Sequence, residues 1–347
     1  MENTNNYKTI YIVTGATGFV GNNIVKQLED ANNKVIALVR NEIKVKKALK
    51  NSQATIVVGD VTNADDIENL FAFAKEIDNE ARIIFIHTAS IVHIGNDKKV
   101  IAEMQKTNLT GTQNIITACL KYSARLVYIS SVHAIAKHKT NGKIQSEISE
   151  FNPKEFHGAY AKSKAAASNL VMTAIKNQNL DAVLIHPSGI SGPNDFSQTH
   201  TTQVVLDYAN GLIPMGTSGG YDFVDVRDVA RGTIAAATIG KSGDCYILSN
   251  KYYTVADKLR ILHELGAGKE IKKTVPMWVA RLGLPFIALK AKRTKTRPLY
   301  TSYSLYALRS NGLFSYEKAA RELGYAPMPL EDSFRDTLEF LNKENML

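Results

Sequence analysis

Tyr160 and Lys164 stand four residues apart, so on a helix their side chains share one face. A tyrosine hydroxyl ordinarily titrates at about 10, too high to exchange protons easily at neutral pH. An ammonium one turn away favours the phenolate and brings that value nearer the working range. A serine hydroxyl beside the pair can bind the same substrate oxygen, and Ser130-Ser131 supplies one. Such a trio can protonate or deprotonate a carbon-bound oxygen while a nicotinamide exchanges hydride. A Tyr–Lys pair alone is a common feature of exposed helices. What turns this one into chemistry is the company it keeps.

That company begins at Tyr11–Gly21, Y-I-V-T-G-A-T-G-F-V-G. An apolar run (Ile10 to Val13) enters a turn containing Gly15, Gly18 and Gly21, and an amphipathic helix leaves through Val20, Ile24, Val25 and Leu28. Strand, glycine turn and helix in that order suit a dinucleotide pyrophosphate. Small residues let the backbone approach the phosphates, and the helix start aims N–H groups at them.

The remaining elements must bring turn, serines and Tyr–Lys pair together. Strands are expected at Lys34–Val39, Ala54–Gly59, Arg82–Ile86, Arg125–Ile129 and Ala182–Ile185. Between them the pattern predicts helices at Glu42–Lys50 behind an Asn41 cap, from Asn63 to about Lys75, over Lys98–Tyr122 and over Tyr160–Lys176. Short continuous apolar strands alternating with helices predict a Rossmann-type, doubly wound parallel α/β sheet covered on both faces. The glycine turn and Ser131 then lie at C-terminal strand ends, where such sheets bind ligands, and Tyr160 follows on the next helix.

After Pro187 Gly and Pro become frequent. Asp222–Val229 and Cys245–Leu248 read as further strands, and Thr254–Leu265, Val275–Leu289, Tyr316–Leu323 and Leu330–Leu341 as helices. The expected division is a dinucleotide-binding domain at 1–187, with 222–248 returning to it. A smaller, mostly helical C-terminal lobe at 188–221 and 249–347 would bind substrate.

These motifs together resemble the extended short-chain dehydrogenases/reductases of the NAD-dependent epimerase/dehydratase superfamily. T-G-A-T-G-F-V-G matches the cofactor turn and Tyr160-Ala-Lys-Ser-Lys164 the catalytic Tyr-x-x-x-Lys. Gly59-Asp60-Val61, His87-Thr-Ala-Ser90, Asn108-x-x-Gly111-Thr112, His186-Pro187 with Gly192-Pro193, and Phe223–Val229 follow in the family's order. The wording is nearest the branch of dihydroflavonol-4-reductase-like and 3β-hydroxysteroid-dehydrogenase-like enzymes. The resemblance implies Tyr160 as proton donor or acceptor, Lys164 lowering its pKa and holding the nicotinamide ribose, and Ser131 placing the carbonyl. It further implies cofactor contacts from Thr14, Gly15, Thr17, Gly18, Phe19, Val20 and Gly21. Asp60 and Val61 would flank the adenine. Thr88, Ala89, Ser90 and Asn108 would line the cofactor's middle, and Pro187, Ser188, Gly189 and Ile190 the nicotinamide.

NAD enzymes of this kind end the second strand in a carboxylate that binds the ribose 2′-OH. Here Val39 and Arg40 stand there, and an arginine fork suits a 2′-phosphate, so NADP(H) is expected over NAD(H). The expected activity is NADP(H)-dependent reduction of a ketone or aldehyde, reversible to alcohol oxidation. A nucleotide-sugar epimerase that retains NAD is the alternative, and a non-catalytic NADP sensor a second. A nucleotide-sugar dehydratase fits less well, because Val132-His133 follows Ser131 where that chemistry uses an Asp-Glu pair.

Net charge is +9, but the cations are scattered except in Lys290–Arg297, so most read as solvated surface and no nucleic-acid partner is expected. The tract Val275–Leu289 reads as an apolar helix over the substrate pocket, suiting a hydrophobic or aromatic carbonyl compound. Contact with a membrane surface is its less favoured alternative. Two cysteines, Cys119 and Cys245, make no disulfide framework and, with a polar N-terminus, point to a cytoplasmic location. His87 reads as structural, while loop residues His133, His138 and His157 read as polar surface. No histidine pair has metal-ligand spacing with a third ligand, and no metal is expected. The family resemblance implies a homodimer through helices such as Ile101–Tyr122 and Tyr160–Lys176.

Overall fold

The computed structural model describes residues 8–93, 95, 97–135, 142–213, 215–279, 282, 305, 308 and 312–347. Most of the Val275–Leu289 tract, all of Lys290–Arg297, and His138 lie outside them.

Seven strands form the main sheet: β1 (Thr9–Thr14), β2 (Lys34–Val39), β3 (Thr55–Val58), β4 (Arg82–His87), β5 (Arg125–Ile129), β6 (Ala182–Pro187) and, from late in the chain, β10 (Cys245–Leu248). Their order is β10-β6-β5-β4-β1-β2-β3, and every pair is parallel. Alternate residues feed two separate cores, because successive side chains point to opposite faces. Ile10, Ile12, Ile36, Phe85, Leu126 and Leu184 belong to one core. Tyr11, Val13, Ala37, Ile84, Val127 and Ile185 belong to the other. Burial on both sides is what makes these strands read as unbroken apolar runs. Strand order reverses at β1, whose neighbours are β4 and β2, and this opens a crevice at the strand C-termini.

The helix expected at Glu42–Lys50 shrinks to Val45–Ala48. Asn41 does turn the chain, its Oδ1 accepting the Ile43 N–H at 2.7 Å. None of Val45–Ala48 is buried, however, and a helix without an apolar face to pack is marginal. The long helix expected over Lys98–Tyr122 carries one π-helical stretch, Lys106–Thr110, between Lys98–Gln105 and Gly111–Lys121.

The expected strand Asp222–Val229 is corrected to β9 (Gly220–Asp225), followed by a helix over Val226–Ile239. Asp225 ends the strand by capping the helix, its carboxylate accepting the Arg227 N–H at 2.7 Å. Of 222–248, therefore, Cys245–Leu248 joins the main sheet, and Val226–Ile239 packs on the first helix, Phe19–Asp30. β9 instead centres a second sheet between β7 (Gly189–Ser191, parallel) and β11 (Lys251–Thr254, antiparallel). A small pair, β8 (Gly216–Thr217) and β12 (Thr274–Val275), lies apart. Helices His200–Ala209, Val255–Glu264, Glu317–Leu323 and Leu330–Lys343 complete the C-terminal part.

Candidate active site

The crevice is walled by glycines whose missing Cβ atoms are its shape. Gly15 has φ +64, and a Cβ there would meet Thr88 Oγ1 at 2.6 Å and the Ala89 nitrogen at 2.8 Å. At Gly21 it would collide with the Gly15 carbonyl. Gly18 begins the helix Phe19–Asp30 with no side-chain cap. The N–H groups of Phe19, Val20 and Gly21 thus open the helix at the crevice, where an anion can accept from them. Thr17 stands half-exposed on the turn.

Thr14 and the β4 end stitch this turn in place. The Ala89 N–H donates to Thr14 Oγ1 at 3.3 Å, and Thr88 Oγ1 donates to the Thr14 carbonyl at 2.6 Å. Thr14 Oγ1 lies 2.8 Å from His87 Nδ1, and Thr112 Oγ1 lies 3.3 Å from His87 Nε2. Since Thr112 Oγ1 donates to the Asn108 carbonyl, this chain of bonds assigns the ring proton to Nε2. Burial depresses the His87 pKa to about 3, with a smaller push from Lys164. His87 is therefore a neutral strut.

Asn108, in the π-helical stretch, ties the segment after β4 to the helix Ala159–Gln178. Its Oδ1 accepts from Ser90 Oγ (3.1 Å) and the Ile91 N–H (2.9 Å), and its Nδ2 donates to Ser163 Oγ at 3.1 Å. Ser163 in turn donates to the Tyr160 carbonyl at 2.8 Å. Asp60 turns its carboxylate to the Thr62 N–H (2.8 Å), and Val61 packs where a Gly111 Cβ would sit. Arg40 is exposed just beyond β2 and pairs with no carboxylate among the described residues. On the other side of the crevice Pro187 ends β6. Ser188 donates to Asp222 Oδ1 at 2.5 Å, and Gly189 and Ile190 begin β7. Gly189 lies so close to the Phe223 ring that a Cβ would meet it at 2.8 Å.

Tyr160 sits in the first turn of the helix Ala159–Gln178, which starts at Gly158 with φ +84. It is buried, and its pKa is pushed up to about 12 by burial, with the Ser131 side chain acting the other way. Lys164 is buried one turn on. Its Nζ donates to the Ile129 carbonyl at 2.8 Å and lies 5.2 Å from the Tyr128 ring centre. Burial brings its pKa down to about 7. The ammonium also helps hold the pKa of His87 and of His186 down. Ser130 is turned away, bonded to Ser168 Oγ at 2.7 Å.

Sequence reasoning missed an aromatic wall. His133, read as loop surface, stacks on Tyr221 (5.6 Å, 15°) and meets Tyr160 edge-on (5.7 Å, 70°). Phe314 closes on Tyr221 at 5.8 Å. His133 follows Ser131 by two residues, a local signal that was available. Tyr221 and Phe314 arrive from distant segments and carried none. His157 is exposed near the helix start.

A model of the NAD dependent epimerase/dehydratase family matches residues 11–249, more than half the chain. The chain belongs to the NAD-dependent epimerase/dehydratase family. Among its relatives in this family is a Synechocystis sp. protein named "Putative dihydroflavonol 4-reductase", 30% identical over 95% of this chain and 94% of its own length. Another is the Schizosaccharomyces pombe "Sterol-4-alpha-carboxylate 3-dehydrogenase erg26, decarboxylating", 28% identical over 94% and 96%. The crystal structure of gox2253 superposes with a TM-score of 0.81 at 27% identity, covering 98% of this chain and 99% of that one. This epimerase/dehydratase family member is an NAD(P)-dependent enzyme of the extended short-chain dehydrogenase/reductase type. The uncapped helix start and the glycine cradle fit its dinucleotide. No described helix is long and apolar enough to cross a membrane.

Proposed function

We propose that the chain is an NADP(H)-dependent oxidoreductase that reduces a ketone or aldehyde and runs in reverse on the alcohol. The observation that carries this reading is Tyr160 buried in the first turn of its helix with Lys164 buried one turn on, Nζ bonded to the Ile129 carbonyl at the end of β5, just before Ser131.

A bound nicotinamide supplies the hydride. Ser131 and Tyr160 together bind the substrate oxygen, and Tyr160 gives that oxygen its proton as negative charge grows there. The phenolate left behind is supported by the Lys164 ammonium and reprotonated from solvent. Asn108 and Ser163 hold the first turn of the helix, and with it Tyr160, in register with the cofactor side of the crevice.

Arg40 supports NADP(H) over NAD(H), because its planar fork pairs with no carboxylate among the described residues and can pair with a 2′-phosphate. The ring wall of His133, Tyr221 and Phe314 supports an apolar or aromatic carbonyl compound, covered by the lobe of 188–221 and 249–347. It favours this reading over a sugar-nucleotide epimerase, whose substrate carries a charged diphosphate. Buried free Cys119 and Cys245 suit a reducing cytoplasm, and a homodimer belongs to the same reading.

The test is a fluorescence titration of purified protein with NADPH and NADH, after checking for carried-over nucleotide, then a screen of aromatic and aliphatic carbonyls. Tighter NADPH binding with NADPH consumption is expected. Retained NAD with turnover of sugar nucleotides would replace the reading with the epimerase.

A further inference from the structure

One buried cation in the C-terminal lobe has no role in the chemistry described so far. Lys258 lies on the helix Val255–Glu264 and is only 8% exposed. Its Nζ stands 3.6 Å from the centre of the Phe223 ring. No carboxylate among the described residues pairs with it. Its neighbour Asp257 is committed to the Thr254 capping box and to Arg260. A buried ammonium without a counter-ion is costly, and proteins rarely keep one without a use. Burial brings its pKa down to about 7, so it holds its proton loosely and an arriving anion would tighten it.

Its position gives it a use. Phe223 and Tyr221 are alternate residues of β9 and point to the same face of the second sheet. Tyr221 stacks on His133, and His133 meets Tyr160 edge-on. Rings therefore mark a path from the proton donor through His133 and Tyr221 to Phe223, on the same face of β9 as Tyr221 and under the Lys258 amine. Gly189 lies opposite Phe223 on β7, in the segment that would face the nicotinamide.

Resting on the proposed carbonyl reduction, we propose that Lys258 binds the carboxylate of the substrate, which is therefore an oxo acid with an apolar or aromatic body spanning the Tyr221 and Phe223 rings. A carboxylate fits better than a phosphate because one ammonium in apolar surroundings neutralises one charge, and a dianion would keep its second charge buried.

Two measurements on the full chain test this. The first is ligand-induced thermal stabilisation by decanoate, decanamide and decyl phosphate. Wild type should be stabilised by decanoate more than by decanamide, and Lys258→Met should lose that difference while Lys258→Arg keeps part of it. Equal stabilisation of wild type and Lys258→Met by decanoate overturns the assignment. A larger shift with decyl phosphate than with decanoate overturns the carboxylate. The second is the kcat/KM ratio for 9-oxodecanoate against its methyl ester with NADPH. The wild-type ratio should be at least ~10, the scale of a charge-assisted bond, and should fall at least fivefold in Lys258→Met. A ratio near one in wild type overturns the role of Lys258. Failure to turn over either compound, or to bind NADPH, counts instead against the carbonyl-reductase reading, and the decanoate shift still decides Lys258.

Discussion

The His133 imidazole meets the Tyr160 ring in a T-shaped contact at 5.7 Å while its face lies on Tyr221. Burial depresses its pKa to about 4, so at neutral pH it brings no charge to the proton donor's side. It stands as a neutral ring between Tyr160 and Tyr221.

Replacing Tyr160 by Phe should lower turnover at least ~10²-fold, the usual scale of lost acid–base catalysis, while NADPH still binds. Steady-state rates and the fluorescence titration measure the two effects separately. An unchanged rate would remove Tyr160 from the reaction.

Arg40→Ala should weaken NADPH at least ~10-fold, as expected for a lost charge-assisted pair, and leave NADH affinity within twofold. Equal losses for both nucleotides would mean that Arg40 does not read the 2′-phosphate.

Gly15→Ala tests the cradle. The left-handed backbone and the 2.6 Å approach to Thr88 Oγ1 leave no room for a methyl group. The expected loss is about 1–3 kcal/mol of stability, with nucleotide affinity falling alongside. Denaturant unfolding and titration measure it.

The pH dependence of kcat/KM for reduction should break near 7. Lys164 is needed as the ammonium and its pKa is lowered to about 7, so the free enzyme loses the charged form as pH rises through that value. His133 and His87, at about 4 and 3, add no break between pH 5.5 and 9. A flat profile across neutral pH would contradict the charged-lysine requirement.

Lys258→Met should raise Tm, and more at pH 6 than at pH 10. A native pKa of about 7 lies below the ordinary lysine value. The unfolded chain therefore binds more protons than the native one between the two values. Stability from this residue is present above the unfolded pKa and is lost as pH falls toward 7. Methionine removes that loss, and a gain of at least ~2 °C at pH 6 is expected from thermal unfolding.

The chain order of strand, glycine turn and helix, and the strands Lys34–Val39, Arg125–Ile129 and Cys245–Leu248, could be read from residues alone. Doubly buried strands must be apolar throughout, and a phosphate cradle must be glycine, so both leave local marks. Tyr160 and Lys164 were legible for the same reason, since four residues is one helical turn. What the sequence could not state was where their polar atoms point. Lys164 Nζ goes to the Ile129 carbonyl, a group whose place depends on how β5 packs under the helix Ala159–Gln178. The fate of β9 was equally hidden. Its sequence, G-Y-D-F-V-D, does not name a sheet, and only pairing with β7 and β11 assigns it to the second. That pairing sets Tyr221 against His133 and Phe223 beneath Lys258, joining residues 88 and 35 positions apart. Local periodicity determines which elements exist, whereas contacts between distant segments are set by the packing of whole layers, and the lining of the crevice is made of such contacts.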